Sequence, residues 1–259
     1  MRAVEIVVLI SIILGFALLL TLGYQYLVPA DDIRALAKFY LLTTYFNPNY
    51  TYTAGATETV TAIVWDYRGL DTLFETTVFY IALAGCLILA RGLYKEEKEA
   101  SKPGSGLSVI VRGVTKITAP MIIVVGVSIA LHGHLTPGGG FQGGATMAVL
   151  PLLIIVIFSL APLIRRGFTP SRLAIIRGFA LIGIGLVSII LALIGLVLGI
   201  NAYVFQSLPK PDAPLGFPSE VEGALMGGIL WFFNLFESIA VVAAFTIAFI
   251  AILLIESRG

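Results

Sequence analysis

Charge is what this sequence has least of. Only 12% of its 259 residues are Asp, Glu, Lys or Arg, while 58% are hydrophobic; soluble domains carry about 25% charged residues. A water-facing surface for a chain of this size cannot be made from so few. Cysteine is nearly absent too. Cys86 stands alone inside an apolar run, which excludes a disulfide framework, a cysteine zinc cluster and an iron–sulfur cluster. Only two histidines occur, His132 and His134, and two imidazoles are too few ligands for a zinc centre. No phosphate-binding loop is present, since no Lys-Ser/Thr follows the glycine-rich stretch. The expectation is a chain with no cofactor, no metal and no catalytic role of its own. A net charge of +1 gives no footing for nucleic acid.

What is present is length of apolar run. About 20 mostly apolar residues cross the roughly 30 Å of bilayer hydrocarbon. Ile6–Val28, Thr72–Ala90, Ile117–Leu131, Phe141–Ile164, Ala174–Ile200 and Leu230–Ile255 qualify or come close, the third being short and the last long. The fold class expected is therefore all-α, a polytopic membrane helical bundle of about six transmembrane helices in the lipid bilayer. The first run is longer than a signal-peptide core, and Val28-Pro29-Ala30 is a poor cleavage site, so it reads as a retained span.

The basic residues are divided unequally. Twelve, including Arg2, Arg91, Lys95, Arg112, Lys116, Arg165, Arg166, Arg172, Arg177 and Arg258, are assigned to one side; Arg34, Lys38, Arg68 and Lys210 fall on the other. The positive-inside rule then places both termini in the cytoplasm of a multi-pass cell-membrane protein. A charged and Gly/Ser/Pro-rich stretch at 95–106 reads as a cytoplasmic linker. It separates a two-span unit, 1–94, from a four-span unit, 107–259. In the long external loop Asp31 and Asp32 are helix-start residues, and Ile33, Leu36, Ala37 and Tyr40 fall at helical spacing, as a short interfacial helix would have them. Asn47-Pro48-Asn49 reads as a turn.

Three features could carry chemistry. The stretch Gly133 to Gly144 holds Pro137, Gly138, Gly139 and Gly140 in succession, and such a run turns tightly rather than forming helix. Gly140, Gly144 and Ala148 then make a ridge of small residues suited to close helix approach. A plain packing hairpin explains these residues as well as a functional loop does. His134 beside the turn is able to exchange a proton near neutral pH, although a solvated loop histidine is an equal reading for it and the better one for His132. Carboxylates within apolar runs are the third feature. Glu75 and Glu237 sit inside spans, where ionisable groups usually face a polar cavity and mark an ion or proton route; Glu237 could instead hydrogen-bond a neighbouring subunit. Arg68 and Asp71 lie at the membrane edge, and Asp71 could simply cap the helix that Thr72 opens. Pro151 should kink its helix. Gly195 with Gly199, and Gly223 with Gly227, have the spacing of close-packing motifs.

Two stretches resemble a known family. Gly-His-Leu-Thr-Pro-Gly-Gly-Gly-Phe-Gln-Gly-Gly at 133–144 closely resembles the signature of the MnhB (MrpB) component of the Mrp-type multi-subunit sodium/proton antiporters, and Leu107–Ser257 looks like that whole domain. Val64–Val78 resembles the C-terminal extension of the large subunit of the same antiporters. A fusion of the two looks like the archaeal membrane-bound respiratory complexes of hydrogenase, formate hydrogenlyase and sulfane sulfur reductase type. The resemblance implies other Mrp-type subunits, and hydrogenase-like subunits, as partners, with Na+ and H+ as transported ions. It carries over to Glu75, Asp71, Arg68 and His134 as ion-pathway positions, and to Pro137, Gly138, Gly139, Gly140, Phe141, Gly143 and Gly144 as the structural signature. Glu237 rests on its own place in an apolar helix. A purely structural scaffold subunit is the alternative function.

Overall fold

A computed structural model of the chain describes residues 3–27, 33–44, 52–89 and 107–256. The 95–106 linker, the Asn47-Pro48-Asn49 turn, and Asp31 and Asp32 lie outside the described residues. The chain divides into two compact units, residues 1–39 and 40–259. The first holds helix α1 (Ala3–Leu27) and the start of α2 (Ala35–Thr44). Within that unit α1 leaves its apolar side chains exposed along the described part of its length. A helix apolar all round has nothing to gain from water, which is what a membrane span requires. The helical spacing around Leu36 and Tyr40 does form a helix.

The second unit holds the end of α2 and then a single turn, α3 (Thr59–Thr61), that runs directly into a π-helical segment, Ala62–Tyr67. Glu58 starts it, its carboxylate accepting from the Val60 and Thr61 backbone N–H groups. Helix α4 (Gly69–Leu89) follows. Beyond the undescribed linker come α5 (Val109–Leu131), α6 (Gly140–Phe158), the short α7 (Ala161–Arg165), α8 (Pro170–Leu198) and α9 (Leu230–Glu256). A small antiparallel hairpin, β1 (Glu220–Val221) with β2 (Ala224–Leu225), lies in the loop before α9. Six helices among the described residues are long and apolar enough to cross a membrane: α1, α4, α5, α6, α8 and α9. The polytopic helical bundle is what the run lengths predict.

The helix ends differ from the run ends because caps, not hydropathy, set them. The third span starts at Val109, where Ser108 accepts a hydrogen bond from the Val111 N–H. Arg112 and Lys116 are thus residues of the first helical turns rather than of a loop. Likewise Thr169 caps α8 and Pro170 opens it, which puts Arg172 and Arg177 in the helix as well. Span four stops at Phe158, short of Ile164. Ser159 turns the chain with φ 77°, and Pro162 cannot donate to a continuing helix. Gly199 is a left-handed cap at the end of α8, and Gly223 and Gly227 are positive-φ loop residues before α9. The paired spacing of those glycines is therefore not helix packing; only Gly195 of the four makes a close approach to a backbone, that of Ile200.

Helix α9 is the core of the unit, with much of its span buried. It packs on α6 through the small-residue ridge, where a methyl on Gly144 would lie 2.7 Å from the Ser238 carbonyl oxygen. It packs on α8 where Gly183 receives the Phe236 ring. One apolar cluster gathers Leu83, Ile155, Leu173, Ala244 and Ile247. A second, nearer the glycine turn, gathers Trp65, Ile184, Leu230 and Phe233.

Candidate functional site

The glycine turn places the site. It begins after His132, which ends α5, and delivers the chain into α6 through Gly138 (φ 150°) and Gly139 (φ 141°), conformations that side-chain-bearing residues rarely adopt. Gly139 stands at the cap position and has no side chain to satisfy the first free N–H groups of α6. Helix α9 supplies the acceptors instead. Asn234 Oδ1 accepts from the Gly140 N–H at 3.2 Å, and the Glu237 carboxylate accepts from the Phe141 N–H. Glu237 also accepts from Trp65 Nε1 at 3.3 Å. The positive end of the α6 dipole favours this carboxylate further. Glycine at position 140 is obligatory, because a Cβ there would sit 2.6 Å from Glu237 Oε2 and from the Asn234 carbonyl oxygen.

The π-helical segment closes the next wall. Thr61 Oγ1 donates to the Gly133 carbonyl at 2.7 Å, and the Thr57 and Glu58 N–H groups donate to the His134 carbonyl. Trp65 is fully buried and stacks on Phe233 at 4.4 Å. π-Helical turns recur at functional sites, and here the turn aims the indole N–H at Glu237. Helix α4 completes the enclosure with Thr72, Glu75 and Thr76.

Together these groups surround a cavity of about 450 Å³. Glu75, Glu237, Asn234, Gln142, Thr61, Thr72 and Thr76 contribute polar groups; Phe79, Val241 and Phe245 contribute an apolar wall. Glu237 is 7% exposed, whereas Glu75 lies on the open side with Phe141 and Gln142. Two carboxylates from different spans thus share one cavity, close enough for Glu75 to repel the charge on Glu237.

The other sequence-predicted residues are placed differently. Gly138, Gly139, Gly140 and Phe141 line the cavity. Gly143 and Gly144 do not; they are the contact points of α6 with α5 and α9, Gly143 meeting Ala130 and the Gly126 carbonyl. Pro137 is exposed in the turn. Asp71 lies in the first turn of α4, which opens at Gly69, so it is not the cap residue. It pairs with Arg68 at 2.5 Å on the surface, and exposed pairs of this kind contribute little. His134 is buried but does not line the cavity. Its Nε2 bonds the Leu225 carbonyl at 2.8 Å, so that nitrogen carries the proton, and Nδ1 has no partner. His132 is exposed beside it. Among the described residues no three His, Cys, Asp or Glu side chains are grouped as metal ligands.

Burial holds the His134 imidazole below its ordinary pKa of 6.5; the Leu225 bond raises it in part and the nearby His132 lowers it further. A lowered folded pKa means that the unfolded chain binds the proton more readily below pH 6.5, so acid removes stability there. The detergent-solubilised protein is expected to lose melting temperature as pH falls through and below 6.5. His134→Gln keeps a donor for Leu225 and does not titrate, so it should flatten that slope. An unchanged slope would assign the acid sensitivity to another group.

Sequence reasoning missed Asn234, Trp65 and Thr61. For Asn234 a signal existed: an amide one turn before Glu237 in an otherwise apolar run is costly unless both face something polar. Asp66, beside Trp65, was also passed over; burial pushes its carboxyl up to about 6, against the pull of Lys210.

Residues 110–247 match the family described as a domain related to the MnhB subunit of the Na+/H+ antiporter. Over 131 residues the chain is 30% identical to the uncharacterized protein MJ1307 of Methanocaldococcus jannaschii, an alignment that spans 45% of this chain and 47% of that relative. A chain of the membrane-bound sulfane sulfur reductase (MBS), an archaeal respiratory membrane complex, is 31% identical. That comparison covers 95% of this chain and 97% of the other, with a TM-score of 0.62. The Mrp complex of Dietzia sp. DQ12-45-1b contains a chain of like fold, with a TM-score of 0.56 at 17% identity over 96% of this chain and 26% of that one. The glycine turn, the small-residue ridge and most of the helices they join lie within the matched residues, and the chain belongs to the family of domains related to the MnhB subunit of Na+/H+ antiporters.

Proposed function

We propose that the chain is an ion-pathway subunit of a multi-subunit cation (Na+)/proton antiporter module, attached to a respiratory oxidoreductase. The observation that carries this reading is the cavity shared by Glu75 of α4 and Glu237 of α9. A cation leaving water needs replacement oxygens, and carboxylates with hydroxyl and amide oxygens can supply them in a membrane span. Supporting it, the chain is similar over nearly its whole length to a chain of an archaeal respiratory membrane complex. On this reading residues 1–94 are a piece like the C-terminal extension of the large antiporter subunit, 95–106 a cytoplasmic linker and 107–259 the MnhB-like domain. Arg68, Asp71 and His134 are further positions of the route by family likeness, none of them lining the cavity, and other Mrp-type subunits and hydrogenase-like subunits are the partners. One observation favours a scaffold role instead: Glu237 with Asn234 caps α6, which is work a structural carboxylate does.

The complex purified through a tag on this chain should bring antiporter-type subunits with it. Reconstituted in proteoliposomes, it should exchange Na+ for protons. Purification of the chain alone, or a complex that moves neither ion, would overturn the reading. The charge asymmetry gives the orientation. Reporter fusions after Lys102 and after Arg172 should both report cytoplasm, and one near Asn49 the outside. An external report from the Lys102 fusion would end the six-span arrangement with both termini cytoplasmic.

A further inference from the structure

Arg177 is the least expected side chain in the bundle. It lies in the second turn of α8, in a candidate membrane span, and is only 2% exposed. Among the described residues its Nε and Nη1 have no hydrogen-bond partner, and both are buried. The guanidinium lies over the Phe79 ring at 4.5 Å and within 5.7 Å of the Tyr80 ring centroid. Aromatic faces partly compensate a cation, but they do not neutralise it, and a guanidinium does not give up its proton in a protein. A fixed positive charge is therefore held within the span.

Its position relative to the cavity gives it meaning. Phe79 is one helical turn beyond Glu75 on α4 and lines the cavity. The same ring carries Arg177 on its face and meets Phe245 at 5.8 Å. One ring thus separates a cavity with two carboxylates from a buried guanidinium. Phe79 is about 15 Å along α4 from Gly69, near mid-span. Of the polar residues lining the cavity, Glu75 and Gln142 are exposed, beside exposed Phe141, Val60 and Val64.

We propose that Arg177, seated behind the Phe79 ring, is an electrostatic barrier that stops cations from passing along the interior of this chain, so that ions enter and leave the cavity through its open side at Glu75. A cation pressed past Phe79 would meet a like charge in a medium of low dielectric, where repulsion is far stronger than in water. Fixed arginines exclude cations from pores on the same principle. Phe79 alone is an apolar plug that a side-chain rotation can open; the charge behind it closes the way permanently. This inference rests on the proposed ion pathway through the cavity.

The test uses the intact complex in proteoliposomes and reads two quantities: Na+ exchange when energised, and decay of an imposed Na+ gradient at rest. The variants are Phe79→Ala, Phe79→Ala with Arg177→Met, and Phe79→Ala with Arg177→Gln, together with Phe79→Ala with Arg177→Lys. Met fills a similar volume, and apolar replacement of a buried charge is often tolerated; Gln is the second route should Met fail to assemble. Resting leak should rise about tenfold or more in the assembled Met or Gln double variant. It should stay near the native level in Phe79→Ala alone and in the Lys double variant, where the charge remains. Native resting leak in an assembled double variant lacking the charge would overturn the barrier, and so would equal leak in the Lys variant. Glu75→Gln, run alongside, separates the two levels: loss of energised exchange there with no leak in the double variants refutes only the barrier, whereas native exchange in Glu75→Gln removes the pathway itself.

Discussion

Glu75→Gln is expected to leave the complex assembled and to cut Na+/proton exchange by at least about tenfold. Glu75 is an exposed lining residue of the cavity, and among the described residues no hydrogen bond of its side chain holds two elements together, so the amide changes charge and little else. Glu237→Gln separates the pathway from the scaffold reading. A glutamine oxygen can still accept from Trp65 Nε1 or the Phe141 N–H, so the cap on α6 is largely retained. A residue that only caps the helix would then cost little exchange. A residue that carries ions or protons would cost nearly all of it, because an amide neither titrates at physiological pH nor offers a full negative charge to a desolvated cation. The measurement is ion flux in proteoliposomes across a pH range, with assembly followed on a native gel. Native flux at every pH in both variants would leave the two carboxylates as structural groups.

Gly140→Leu and Gly144→Leu are expected to abolish assembly. Each position faces α9 backbone: a Cβ at 140 would be 2.6 Å from the Asn234 carbonyl oxygen, and one at 144 would be 2.7 Å from that of Ser238. Backbone cannot rotate out of the way as a side chain can. Overpacking a core typically costs about 1–3 kcal/mol, and displacing a whole helix should exceed that. Gly178→Ala and Gly185→Ala are the matched controls, since none of the described residues lies within 4 Å of a Cβ at either position. They should assemble normally, and slightly better helix propensity should follow. Intact assembly and exchange in both leucine variants would mean that α6 and α9 can separate without consequence.

The two sets of variants touch different levels of information. That four spans follow residue 106 was legible from composition, as the runs Ile117–Leu131, Phe141–Ile164, Ala174–Ile200 and Leu230–Ile255, because hydrocarbon thickness fixes how many apolar residues a helix must present; the helix ends were not. The importance of Gly140 and Gly144 was legible too, as a small residue at every fourth position has few purposes in a membrane helix. What the residues around Glu75 share with Glu237 was not. They are separated by more than half the chain, and nothing in either local pattern says that α4 and α9 flank one cavity. Nor does the same fourth-position spacing distinguish Gly140 with Gly144, pressed on backbone, from Gly195 with Gly199, whose second member caps a helix end.

Arg177 marks the boundary most clearly. In the sequence its charge counts it with the cytoplasmic basic residues, on the sound ground that hydrocarbon rejects guanidinium. Only the packing of α8 against Phe79 and Tyr80 provides aromatic faces that let it stay inside. The sequence by itself determined that this is a membrane bundle, roughly where its spans lie and that the Pro137–Gly140 run turns the chain, because these follow from transfer free energies and backbone sterics acting over neighbouring residues. Tertiary structure alone decided which polar groups meet, which glycines are pressed and which charge is buried, because those depend on contacts between spans that hydrophobicity does not encode: every lipid-facing side is equally apolar, and only shape selects a partner.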